Sequence, residues 1–138
     1  HLGKRWPLAE RNTYLRAYLD TAMQFAVNDE QRADIYMILG TLHTDGLTRY
    51  EHERSQEYVE CSARSIFYLQ KAIELLLSPT RIAHAYALIG LNHNYMFEHG
   101  QADAAYQATY WHNHLFNPSL PGKVRVLSFN PRLSPVQS

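Results

Sequence analysis

Ala33-Asp34-Ile35-Tyr36-Met37-Ile38-Leu39-Gly40-Thr41-Leu42-His43 is the stretch from which the architecture follows. Its apolar residues recur at three- and four-residue steps and run nearly all round, as in a helix buried on more than one side. Fifty residues on, Ala83-x-x-Tyr86-x-x-Ile89-Gly90-x-x-His93 repeats Ala33-x-x-Tyr36-x-x-Leu39-Gly40-x-x-His43. The segments that follow also match. Ala63 through Ser78-Pro79 and Ala102 through Asn117-Pro118 each open on Ala and close on a small polar residue and Pro. That second offset is 39, so the first unit carries eleven extra residues between its Gly and its second helix.

Working outward, the punctuation predicts five helices. The first starts near Trp6-Pro7, carries a stripe of Leu8, Leu15, Tyr18, Leu19, Ala22, Phe25 and Ala26, and stops near Asn28-Asp29. The second runs from Glu30 to Thr44 and ends at Asp45-Gly46. No Gly or Pro occurs from Thr48 to Leu77, and Thr48-Arg49-Tyr50-Glu51 has the form of a capping box, which predicts one continuous helix of about 45 Å. On this reading the eleven extra residues, almost three turns, project beyond the body and present Tyr50, Arg54 and Tyr58 as a surface. Ser78-Pro79 opens a fourth helix that reaches His99 and is closed by Gly100, and a fifth spans Gln101 to Phe116. Prolines 118, 121, 131 and 135 forbid helix beyond, so residues 1–118 form a helical repeat domain and 119–138 a tail. The alternating segment Val124 to Phe129 is expected to lie extended over the last helix or against a partner.

An aromatic residue three before an aliphatic-Gly pair, followed by an Ala-containing helix that ends near Pro, resembles the tetratricopeptide repeat over residues 31–118. Its unit is a helix hairpin of ~34 residues. The resemblance implies an all-α fold in which antiparallel hairpins stack as a short right-handed array. It also implies that Gly40 and Gly90 let paired helices approach closely beside Tyr36 and Tyr86. His43 and His93 stand where the family usually has Tyr. The family's geometry places Asp34, Met37, Thr41, His84, Ala87, Leu91 and Asn94 on a concave, peptide- or helix-binding face. These residues do not supply the Lys, Arg and Asn clamp with which chaperone-binding members hold a terminal carboxylate.

Thirteen Lys plus Arg against thirteen Asp plus Glu leave no net field for a nucleic-acid backbone or an anionic membrane. No run approaches the roughly 20 apolar residues of a membrane span, and there is no signal-peptide pattern. The single Cys61 excludes an internal disulfide and suits a reducing, cytoplasmic setting. The chain opens on His1 rather than Met, as a processed chain or a fragment would.

Eight histidines invite a metal reading, with His93, Glu98, His99, His112 and His114 as candidates. Their spacings of six and two are not the i, i+4 of a helical zinc site, so no metal and no cofactor are expected. His43 and His93 are expected to fill equivalent aromatic slots instead. Glu57 and Glu60 near Cys61 disfavour a thiolate nucleophile, and no phosphate loop, acid pair or Ser-His-Asp order is present. The expected function is thus a non-enzymatic scaffold or adaptor that binds a protein or peptide. The alternative is a regulatory or oligomerisation domain of a larger enzyme or regulator, since two hairpins fall short of the usual three units and self-association would cover the ends. A His-rich metal-dependent enzyme ranks last.

Overall fold

The computed structural model describes residues 6–115, the side chains of residues 114 and 115 excepted. The tail and its Val124 to Phe129 segment lie outside the described residues. Five helices follow one another: α1 Leu8–Phe25, α2 Asp29–Arg49, α3 Gln56–Leu75, α4 Pro79–Tyr95 and α5 His99–Leu115. Among the described residues there is no strand. The chain is all-α, and helices adjacent in sequence pack against each other.

Side-chain caps set three of the starts. Asn28 accepts from the Gln31 amide (2.8 Å), Ser55 from Tyr58 (3.4 Å) and Ser78 from Arg81 (3.4 Å), each satisfying one free N–H of the first turn. Helix α4 adds Pro79 at its first position, where the missing N–H costs nothing.

The helices α2 and α3 form one hairpin, α4 and α5 another, and α4 seats against both members of the first. Cross-links fix the register. Arg81 donates to Asp34 (2.5 Å), Asn92 to Thr44 (2.8 Å), and the Thr48 and Tyr95 hydroxyls share a bond (2.8 Å), so α2 and α4 run parallel. One apolar cluster joins the two hairpins through Met37, Leu69, Ala72, Ile73, Ile82, Ala85, Ile89, Ala105 and Ala108. Helix α1 lies along α2 and α3, with Leu15 packing on Leu39 and Tyr68.

The structure replaces the projecting helix with a closed hairpin end. Helix α2 does not stop at Asp45-Gly46 but continues to Arg49, and the chain turns at residues 50–55 before Ser55 caps α3. Measured from the repeated Gly and Ala positions, the eleven extra residues divide into four on the end of α2, three in the turn and four on the start of α3. Gly46 sits mid-helix at a close approach: a Cβ there would meet Arg11 Nη1 at 2.6 Å and Cys61 Sγ at 3.3 Å, so a larger residue would force the Arg11 side chain and Cys61 to shift. The Thr48 hydroxyl bonds Tyr95 instead of capping a helix. Folding back also buries the aromatics that a projecting helix would leave wet: Tyr50 and Tyr58 are 3% and 0% exposed, packed with Leu8, Leu47 and Cys61. Burying a large apolar side chain contributes about 1.5–3 kcal/mol, enough to favour the turn over an unsupported helix end.

A second correction concerns the α4–α5 corner. Helix α4 ends at Tyr95 rather than His99, and Gly100 lies inside α5. The left-handed residue is Phe97 (φ 60°), with the Glu98 amide donating to the His93 carbonyl (2.8 Å) and the Phe97 amide to Asn94 (3.0 Å). That is a Schellman closure, with Phe in the place Gly usually takes. The Arg54 guanidinium lies over the Phe97 ring at 4.7 Å and donates to the Tyr95 carbonyl (2.7 Å), holding the corner.

Candidate binding surfaces

The seven residues expected on one concave face divide into two groups. Asp34 is paired with Arg81, Met37 is buried in the inter-hairpin core, and the Thr41 hydroxyl donates to the Met37 carbonyl at the exposed border. These belong to the edge of the first hairpin along which α4 seats. Fifty residues on, His84, Ala87, Leu91 and Asn94 form the corresponding edge of the second hairpin. His84 and Asn94 are exposed and Ala87 and Leu91 half-buried, and among the described residues no further helix covers them. Asn94 is held by the Tyr106 hydroxyl (3.1 Å) and His99 (3.2 Å). On α5, Ala104 is also half-buried.

The expected surface of Tyr50, Arg54 and Tyr58 is not brought together as a surface. Tyr50 donates to the Trp6 carbonyl and Tyr58 to the Leu47 carbonyl (2.9 Å), both from inside the fold. Arg54 alone is exposed, clamped between Tyr58 and Phe97.

A groove between α1 and α3 was not anticipated. It comprises a cleft of about 220 Å³ lined by Asn12, Arg16, Glu57, Glu60 and Arg64, opening into one of about 510 Å³ floored by Leu19, Ala63, Phe67 and Tyr68. Asn12, Arg16 and Leu19 do lie at helical spacing in the sequence. Their pairing with α3 depends on the register of α1, which α1 alone does not reveal.

The residues with chemical potential are mostly spent on structure. Cys61 is fully buried, its thiol donating to the His43 carbonyl (3.2 Å), and burial pushes its pKa up to about 12 against a smaller opposing pull from Arg11. The cause is desolvation, and not the acidic neighbours in sequence. His43 is 1% exposed, has Nδ1 3.3 Å from Cys61 Sγ, and lies beside Tyr68. Burial, helped by Arg11, lowers its pKa to about 4, so it is neutral at pH 7. His93 occupies the repeated position but is only half-buried, and its Nδ1 lies 2.7 Å from Glu98. Among the described residues no three His, Cys, Asp or Glu side chains gather as metal ligands. The His114 side chain lies outside that set. No described helix is long and apolar enough to cross a membrane.

A polar knot ties the hairpins together. Thr44 and Ser65 both donate to the Gly40 carbonyl (2.8 Å each), and Asn92 Nδ2 reaches Thr44 (2.8 Å), Ser65 (3.1 Å) and the Leu88 carbonyl (2.8 Å). All three side chains are buried, so this is a positioning network.

In comparisons with known proteins, no family model matches the chain, and no curated protein or solved structure proves similar to it.

Proposed function

We propose that the protein is a tetratricopeptide-like interaction or assembly module that receives a helix or peptide along the open edge of its second hairpin. One observation carries this reading: the edge used by α4 on the first hairpin recurs, fifty residues later, as His84, Ala87 and Leu91 on a hairpin that no further described helix covers. Small and half-buried apolar residues at this edge favour close approach of another helix. Binding rather than catalysis is favoured because Cys61 and His43 are buried in forms that neither attack nor transfer protons near neutrality.

The test is Leu91→Glu in the full chain. The variant keeps its helical circular dichroism and loses the partner, or the self-association seen by light scattering, that the unmodified chain shows. Retention of the partner with unchanged affinity contradicts the assignment.

A further inference from the structure

The groove between α1 and α3 shares no residue with the α4/α5 edge, and its chemistry is ordered along its length. Asn12 Nδ2 donates to the Glu57 carbonyl (3.2 Å), and Leu15 and Leu19 pack with Tyr68, so α1 and α3 run parallel. The two walls, Ala9 to Asp20 and Glu57 to Tyr68, each extend about 18 Å, roughly three turns. At the lower level stand Glu57 and Glu60. One turn on, Arg16 and Arg64 enter from opposite walls and line both clefts. Another turn on is the apolar floor of Leu19, Phe67 and Tyr68, where Phe67 is 52% exposed.

Neither Arg16 nor Arg64 forms an ion pair or a hydrogen bond with any described residue. Two guanidiniums facing one groove repel each other, and an anionic group between them relieves that repulsion and gains charge-assisted hydrogen bonds. Glu57, Glu60 and, at the rim, Asp20 outnumber the two arginines, so a polyanion such as nucleic acid or a phospholipid surface is repelled overall. The complementary ligand carries one acid flanked by a base on one side and an apolar group on the other, one helical turn apart.

We infer that this groove takes an α-helix of a partner protein presenting Lys or Arg, Asp or Glu, and a large apolar residue at i, i+4 and i+7. The base meets Glu57 and Glu60, the acid meets Arg16 and Arg64, and the apolar side chain covers Phe67 and Tyr68. A helix fits because its one-turn spacing of about 5.4 Å matches the levels of both walls, whereas an extended strand would find no sheet edge to pair with.

The probe is a fluorescein-labelled, alanine-based helical 18-residue peptide with Lys, Glu and Leu at those positions, against a control with Lys and Glu exchanged. Anisotropy with the full chain should show the first peptide binding at least tenfold more tightly. Arg16→Glu with Arg64→Glu should abolish that preference while both peptides still bind, a readout that loss of folding would not produce, and Phe67→Ala should weaken both peptides. Equal binding, no binding at millimolar peptide, or a preference that survives the double variant overturns the inference. None of these outcomes bears on the α4/α5 edge, which Leu91→Glu tests separately.

Discussion

Gly40 and Gly90 occupy the same place in the repeat, yet their surroundings make them unequal. A Cβ at Gly40 would meet Leu69 at 2.5 Å, and Leu69 is wholly buried with nowhere to go. A Cβ at Gly90 would meet the Tyr106 ring at 2.6 Å, but Tyr106 is 36% exposed and can swing outward, giving up its bond to Asn94. Gly→Ala in a helix interior gains about 1 kcal/mol of propensity, against overpacking of about 1–3 kcal/mol where the neighbour cannot yield. Gly40→Ala should therefore destabilise clearly, and Gly90→Ala should be close to neutral in urea denaturation. Equal losses would contradict the packing assigned to Leu69 and Tyr106.

His43 gives a signed pH prediction at the same scale. Its folded pKa of about 4 lies below its ordinary 6.5, so the unfolded chain takes up the proton first as pH falls. The contribution is complete above pH 6.5, is lost between 6.5 and 4, and amounts to roughly 3 kcal/mol at most. Stability measured at pH 7.5 and 4.5 should differ less in His43→Phe, by about that amount. An unchanged pH slope would mean that His43 is not buried and neutral. In the same native fold Cys61 should resist thiol reagents at pH 8 and react only on unfolding.

At the scale of elements, the repeated Ala-x-x-Tyr-x-x-aliphatic-Gly pattern made the hairpins legible, because a helix that packs on several sides must carry apolar residues at helical spacing all round. The α2–α3 turn was not legible for an equally physical reason. It contains no Gly or Pro, and Thr48 and Glu51 imitate a capping box, whereas what fixes the break is tertiary: Gly46 beneath Arg11 and Cys61, and Tyr58 bonded to Leu47. The α4–α5 boundary differs because Gly100 has the look of a terminator, while the left-handed residue is Phe97, whose ring packs against Arg54, distant in sequence. Of the candidate site, the equivalence of Met37 with Ala87 and of Thr41 with Leu91 was readable. Which hairpin edge is already occupied was not, since that depends on how the two units stack. Ser55→Ala should cost about 1 kcal/mol through loss of the α3 cap, and Thr48→Ala far less, because its hydroxyl serves an exposed bond rather than a helix start. Chemical denaturation of the two variants distinguishes this turn from the continuous helix, which requires the opposite order.

For the whole molecule, the claim that matters most is that one edge is used internally and its repeat is left for another molecule. The buried Asn92–Thr44–Ser65 knot fixes how the two hairpins sit, so the second edge is presented on a rigid body. The most direct test is photo-crosslinking of the full chain in its native source, with a benzophenone amino acid in place of Leu91 and, as control, in place of Thr21, exposed on α1 away from the α1/α3 groove. The account predicts an intermolecular adduct from position 91, to a partner or to a second copy, and none from position 21. An adduct from 91 only to the chain's own residues, or no adduct at all, would contradict it.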